Sequence, residues 1–409
     1  MESSETVLGL GGTVDYEIEW DSSVLERLAD DYGVTVSELT TGNSIASERD
    51  LLVSVLAFLQ TGSGGERFVA SSGIVETFAA RFASRVTLGG TGVRAAYAME
   101  VLGVSSTLHL VSIDDHVRRL LPPSSAYISS AERDTTDPHL IIQFPVGATV
   151  RLGDVHVTAA HANRLIYSND PPNQTLFLSR DLASTLEGAR IFLISGFNSM
   201  QDEGALDQRL NELRAAMVGL PRDAIVFYED SGFHRPELNV RVRSALLDTI
   251  GVYSMNENEL ENHLGRTLDL LDVAAVRAAL SDIAFLIPAR ELVVHTKYWS
   301  AVVGEKSERY RGALQGGITM ASTRYRFGDS FTRDDYVGMS RQSRHPGGVE
   351  LARRLEESVP GLVCVPAYLL DDAHPTTIGL GDSFVGGFIA ELVRERSRAE
   401  PTPNRGGGE

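Results

Sequence analysis

The sequence predicts an α/β fold, a parallel sheet covered by helices with a smaller β-rich lid beside it. Three observations lead there. Short apolar runs of β character alternate with segments of helical spacing along most of the 409 residues. Glycine-rich or acidic clusters follow several of those runs, where open α/β sheets place their ligands. One stretch, residues 126–177, breaks the alternation with β-branched residues and turns.

The elements justify this reading in order. Val7-Leu8-Gly9-Leu10 is a short apolar strand followed by Gly11-Gly12-Thr13-Val14-Asp15, which puts Asp15 at a strand end. Residues 17–60 read as mostly helical and charged, and residues 67–98 as loop and helix, with Leu88-Gly89-Gly90-Thr91-Gly92 opening a helix over 93–102. Strands are expected at 107–111, 191–195, 224–228, 252–254 and 291–296, and helices at 206–217, 240–250, 273–280 and 383–396. Leu140-Ile141-Ile142-Gln143-Phe144, Thr149-Val150-Arg151-Leu152 and Val155-His156-Val157, parted by turns, read as a meander in the lid. The expected division gives residues 1–15, 67–125 and 178–398 to a large unit, 16–66 and 126–177 to the lid, and 399–409 to a disordered tail.

Composition narrows the partners. With 37 basic against 55 acidic residues the formal charge is −18, which disfavours nucleic acid or an anionic membrane but leaves room for a locally positive metabolite site. No apolar run approaches the roughly 18 residues of a membrane span. The acidic opening Met1-Glu2-Ser3-Ser4-Glu5 is unlike the basic start of a signal peptide, and a cytoplasmic enzyme, monomeric or a small homo-oligomer, is expected. The single cysteine, Cys364, excludes an intrachain disulfide, and its setting in Leu362-Val363-Cys364-Val365 marks it as a buried strand residue.

The chemistry concentrates in a few motifs. Gly379-Leu380-Gly381-Asp382, ahead of Ser383-Phe384-Val385, reads as a loop opening onto a helix: Gly379, Leu380 and Gly381 offer amides to an anion, and Asp382 can accept a hydroxyl proton. That combination is what phosphoryl transfer to an alcohol needs; a plain helix cap is the alternative. Asn256 and Glu259, in Ser254-Met255-Asn256-Glu257-Asn258-Glu259, can organise Mg2+ with its waters or form a capping box. Glu229, at the end of an expected strand, either supports a metal ion through its waters or is a solvated loop acid, with Glu237 competing for the metal role. Asp15 can accept hydrogen bonds from a polyol, Gly89 and Gly90 offer backbone amides at a helix start, and Arg164 can clamp a phosphate or sit on the surface.

Taken in order along the chain, these residues resemble the ADP-dependent glucokinase/phosphofructokinase family, the ADP-using branch of the ribokinase-like superfamily. The resemblance runs over nearly the whole chain: Asp15, Gly89-Gly90, His139 with Asn163-Arg164 in the lid, Glu229, Asn256-Glu257-Asn258-Glu259, and Gly379-Leu380-Gly381-Asp382. It implies a ribokinase-like three-layer αβα domain that binds the nucleotide, a sugar-binding lid, magnesium, and ADP as phosphoryl donor with AMP as product. It also implies Asp382 as base, Gly379–Asp382 as anion hole, Glu229, Asn256 and Glu259 at the metal, and Asp15, Gly90 and His139 at the sugar. The family's His-x-Glu before the metal is here Phe227-Tyr228-Glu229. Glu66 falls where glucokinase-type members carry a sugar-contacting glutamate, which sets glucose slightly ahead of fructose 6-phosphate; a plain place in the glycine-rich loop Gly62-Ser63-Gly64-Gly65-Glu66 is the alternative. An ATP-dependent ribokinase-type kinase and a silent metabolite-binding protein are the alternatives.

Overall fold

The computed structural model describes residues 4–370, 376 and 378–399. A nine-stranded sheet forms the large unit, in the order Leu362–Pro366, Trp299–Gly304, Glu291–His295, Val252–Asn256, Ile225–Glu229, Ile191–Ile194, Thr6–Leu8, Thr107–Leu110, Ala126–Ser129. All pairings are parallel except those of Trp299–Gly304, which runs antiparallel to both neighbours. These strands are nearly continuous in apolar residues because both faces are covered. Successive residues feed opposite layers: Phe192 and Ile194 pack with the helices Glu203–Ala216, Pro236–Leu246 and Val273–Leu286. Ile191 and Leu193 pack with Thr91–Val101, Arg311–Phe327 and Leu380–Ala399. The result is the three-layer αβα sandwich that the alternation predicted.

The smaller sheet has five strands, in the order Gly65–Phe68, Asn163–Ser168, His139–Phe144, Thr13–Ile18, Ser84–Gly89. One face buries Leu140, Ile142, Leu165 and Tyr167 against the helices Ser22–Tyr32 and Glu48–Thr61. Period-two alternation turns Asp15, Glu17, Glu66, His139 and Arg164 to the other face. Thr149–Leu152 and Val155–Thr158 form a separate hairpin, so only part of the expected meander lies in this sheet.

Sheet membership moves three expected boundaries. Residues 65–89 supply two strands to the smaller sheet, although 67 onward was assigned to the large unit, and Ala126–Ser129 closes the large sheet's edge although it was assigned to the lid. Asp15 is not at the end of the first strand; it is the third residue of Thr13–Ile18 in the smaller sheet. Ser84–Gly89, within the stretch 67–98 expected as loop and helix, is a strand, and its polar Arg85 and Thr87 are satisfied across the sheet by Glu17. Of the tail expected at 399–409, all but Ala399 lies outside the described residues, and Ala399 ends the last helix.

Candidate active site

The helix Leu380–Ala399 begins at Gly379, whose φ of 67° lies in the left-handed region that favours glycine. The first helical bond runs from Ser383 N–H to the Gly379 carbonyl, so the N–H groups of Leu380, Gly381 and Asp382 are left for an anion. Asp382 keeps 24% of its side chain exposed. This helix sinks deeply between two others because glycines meet at both contacts: Gly386 lies against Ala95 and Ala98, and Gly387 against the Gly316 carbonyl. The close approach sets two buried arginines around the loop. A Cβ at Gly379 would stand 2.7 Å from Arg94 Nη1 and 3.3 Å from Arg324 Nε. Arg324 donates to the Ile378 carbonyl at 2.7 Å and pairs with Asp329 at 2.6 Å.

Arg94, on the helix Thr91–Val101, reaches both carboxylates singled out in the sequence. Its Nη2 donates to Asp15 Oδ2 at 2.9 Å and its Nε stands 3.9 Å from Asp382 Oδ2. Burial opposes its charge, but Asp15 and then Asp382 outweigh that, holding the guanidinium's pKa above the ordinary value. Asp15 Oδ1 accepts from Thr13 Oγ1 at 2.7 Å. A carboxylate has about four acceptor positions, so two remain for neighbouring hydroxyls of a polyol. Gly89 lies directly against this carboxylate; a Cβ there would overlap both Thr13 and Asp15.

His139 faces Asp15 in the parallel register of the smaller sheet and shares a 3.0 Å hydrogen bond with Asp170. Burial disfavours its charged form, and Asp170, followed by Asp15 and Glu66, overcomes this, so its pKa is raised. Glu66 is the second residue of Gly65–Phe68 and stands 3.7 Å from His234, a residue of the large unit against whose ring Phe68 also packs. Arg164 is exposed on the same sheet face, opposite Gln143. Gly90 caps the helix start with φ 90°. Because the folded pKa of His139 is raised, its stabilising effect is full below the ordinary value of about 6.5 and is lost as pH rises through the folded value. Thermal unfolding from about pH 6 to about pH 9 should therefore show the wild type's advantage over His139→Gln shrinking as pH rises; parallel curves would contradict the ion pair.

The acidic residues lie on the other side of Gly381. Glu229 Oε1 shares a 3.0 Å hydrogen bond with His295, whose ring stacks on Phe384 at 4.3 Å. A Cβ on Gly381 would sit 3.4 Å from His295 and 4.0 Å from Glu229. Asn256 and Glu259 form the capping box: Asn256 Oδ1 accepts from Glu259 N–H at 3.2 Å, and Glu259 Oε2 accepts from Asn256 N–H at 2.8 Å. Burial, against the pull of that backbone bond, and the nearby Glu229 and Asp230 push the Glu259 carboxyl up to about 8. Among the described residues no cluster of three or more acidic, His or Cys side chains would hold a cation alone. Magnesium, however, is usually held by one or two carboxylates, waters and substrate phosphates. The buried Glu229 Oε2, without a hydrogen-bond partner among the described residues, and the carboxylates crowded around Glu259 fit such a cation. Glu237 instead pairs with Arg235 on the surface.

The sequence motifs had pointed to none of Arg94, Arg324, Asp170 or His295. The readable signal for Arg94 was a cation in the first turn of a glycine-opened helix, where the helix dipole disfavours it.

Comparison with known proteins identifies the family. The model of the ADP-specific phosphofructokinase/glucokinase conserved region matches residues 4–384, a span that includes Asp382. The chain belongs to this family. It is an ADP-dependent carbohydrate kinase. A curated relative, the ADP-specific phosphofructokinase of Thermococcus kodakarensis, is 23% identical over 367 residues, 82% of this chain and 79% of the relative. The kinase is also similar to a solved phosphofructokinase from Pyrococcus horikoshii OT3 with AMP, at a TM-score of 0.77 and 16% identity over 96% of this chain and 98% of that one. An ADP-dependent kinase solved with fructose-6-phosphate and ADPβS aligns at a TM-score of 0.73 and 13% identity, over 96% and 94% of the two chains. Among the described residues no helix is long and apolar enough to cross a membrane.

Proposed function

We propose that this kinase transfers the β-phosphoryl group of ADP to a hydroxyl of glucose, giving glucose 6-phosphate and AMP. The observation that supports the reading is the meeting of Asp15 and Asp382 on one guanidinium, so that a polyol held by Asp15 would lie beside the base. Asp382 accepts the proton of the attacking hydroxyl as its oxygen bonds to the β-phosphorus and the bond to the AMP oxygen breaks. The Leu380, Gly381 and Asp382 amides hold the charge that develops on the moving group. Gly89, Gly90 and His139 line the sugar's side. Glu229, Asn256 and Glu259 would hold magnesium through its waters, and the cation would supply charge neutralisation on the phosphates. The rest is done by the chain's own groups.

Glucose rests on Glu66, whose carboxylate lies on the sugar face near His139 and would repel a sugar phosphate. Fructose 6-phosphate is the second reading, favoured by the names of the relatives and by Arg164 on that same face. Phosphorylation assays with ADP and ATP across glucose, fructose 6-phosphate and ribose decide between them. Glu66→Ala should weaken glucose use by about 1.5–3 kcal/mol, the size of a charge-assisted hydrogen bond, and leave ADP use unchanged. A ratio of glucose to fructose 6-phosphate efficiency within about twofold of wild type would remove Glu66 from substrate choice.

For the metal, Glu259→Gln should raise the magnesium concentration at half-maximal rate. A residue that only caps the helix would instead lose about 1 kcal/mol of stability with the magnesium dependence unmoved. Titrating magnesium against rate for both proteins distinguishes these outcomes.

A further inference from the structure

Arg94 lies at the junction of the two units without belonging to any motif that led to the site. It is 6% exposed and touches Asp15 of the smaller sheet, the Gly379 loop, and Asp382 of the last helix. A buried guanidinium in the first turn of a helix is electrostatically misplaced for that helix. Its compensation comes chiefly from the two carboxylates, which belong to different units, with Asp329 adding to them. The Asp15 contact is a direct hydrogen bond, while the Asp382 contact is a longer ionic one. Asp382 is therefore held less tightly than Asp15, which is fixed in one orientation.

We propose that Arg94 is a positioning residue that sets the acceptor-binding Asp15 against the base Asp382, so that the bound hydroxyl meets the base in line with the anion loop. The inference rests on the sugar-kinase reading above. A guanidinium is suited to it because its planar fork serves two carboxylates at once, which an ammonium cannot do from one place. Losing it would loosen the hydroxyl relative to the base, and small misplacements of reacting groups are costly in rate. Nucleotide affinity should depend on it less than sugar affinity, since its direct hydrogen bond goes to the acceptor-binding Asp15 and it only packs against the anion loop.

The test compares wild type, Arg94→Met and Arg94→Lys for sugar KM, ADP KM, kcat and thermal stability. In the methionine variant the sugar KM should rise about 10-fold and kcat fall about 10–100-fold, with ADP KM within about twofold of wild type. The lysine variant should recover part of both losses. A merely structural arginine would lower the melting temperature and leave sugar KM and kcat of the folded fraction unchanged; that pattern in either variant overturns the proposal. Where the methionine variant does not fold, the lysine variant carries the same test, and an unchanged sugar KM in it is equally decisive. A wild-type protein that phosphorylates no sugar with ADP would sink the functional reading and this inference with it. An active wild type with indifferent Arg94 variants sinks the inference alone.

Discussion

Asp382→Asn is expected to cut turnover by roughly 10²–10⁴-fold, the usual size of a lost general base, with folding and nucleotide binding nearly intact. The asparagine keeps the shape of the first helical turn and the exposed amides of Leu380 and Gly381, so the anion loop should still form. What disappears is the group that takes the hydroxyl proton. Arg94 remains compensated, because its closer partner is Asp15 at 2.9 Å rather than Asp382 at 3.9 Å. Single-turnover and steady-state rates with ADP, alongside nucleotide titration and thermal unfolding, measure the separation. A variant keeping more than about a third of wild-type turnover would show that Asp382 is not the base.

Asp15→Ala should damage both stability and sugar use. The Arg94–Asp15 pair is buried on both sides, at 6% and 5% exposure. Removing one member of such a pair leaves an uncompensated buried charge and costs about 3–5 kcal/mol. The distant Asp382 offsets part of that cost, which places the expectation at the lower end of the range. Two acceptor positions for sugar hydroxyls go as well, at about 1.5–3 kcal/mol for each charge-assisted bond. Denaturant unfolding gives the first quantity and kcat/KM for the sugar the second, while ADP KM should hold. A stability loss under about 1 kcal/mol would mean that Arg94 is neutralised by other groups.

Much of this protein was legible because the relevant physics is local. The apolar runs at 191–195 and 224–228 could only be strands covered on both faces, and the glycine-to-aspartate turn at 379–382 announces a helix start with free amides whatever packs around it. The capping box at Asn256 and Glu259 is equally a matter of neighbours three residues apart. Family membership followed from the order of such short pieces.

Other features depended on contacts between residues far apart in sequence. The strand Ser84–Gly89 lay hidden within a stretch expected as loop and helix, because its polar residues Arg85 and Thr87 find their partner in Glu17, nearly seventy positions away. Asp15 was placed at a strand end of the large sheet because the chain crosses into the smaller sheet between Leu8 and Thr13, and no local signal marks that crossing. His295 reaches Glu229 because their strands flank Val252–Asn256, a neighbour relation set by sheet order alone. Sequence by itself determined the layers and the family, and singled out the glycine-rich turn and the acids proposed for the site. Only the tertiary structure decided how they meet, because the partners of a buried arginine such as Arg94 are not among its sequence neighbours: they are carboxylates 79 residues away at Asp15 and across the helix contact at Asp382.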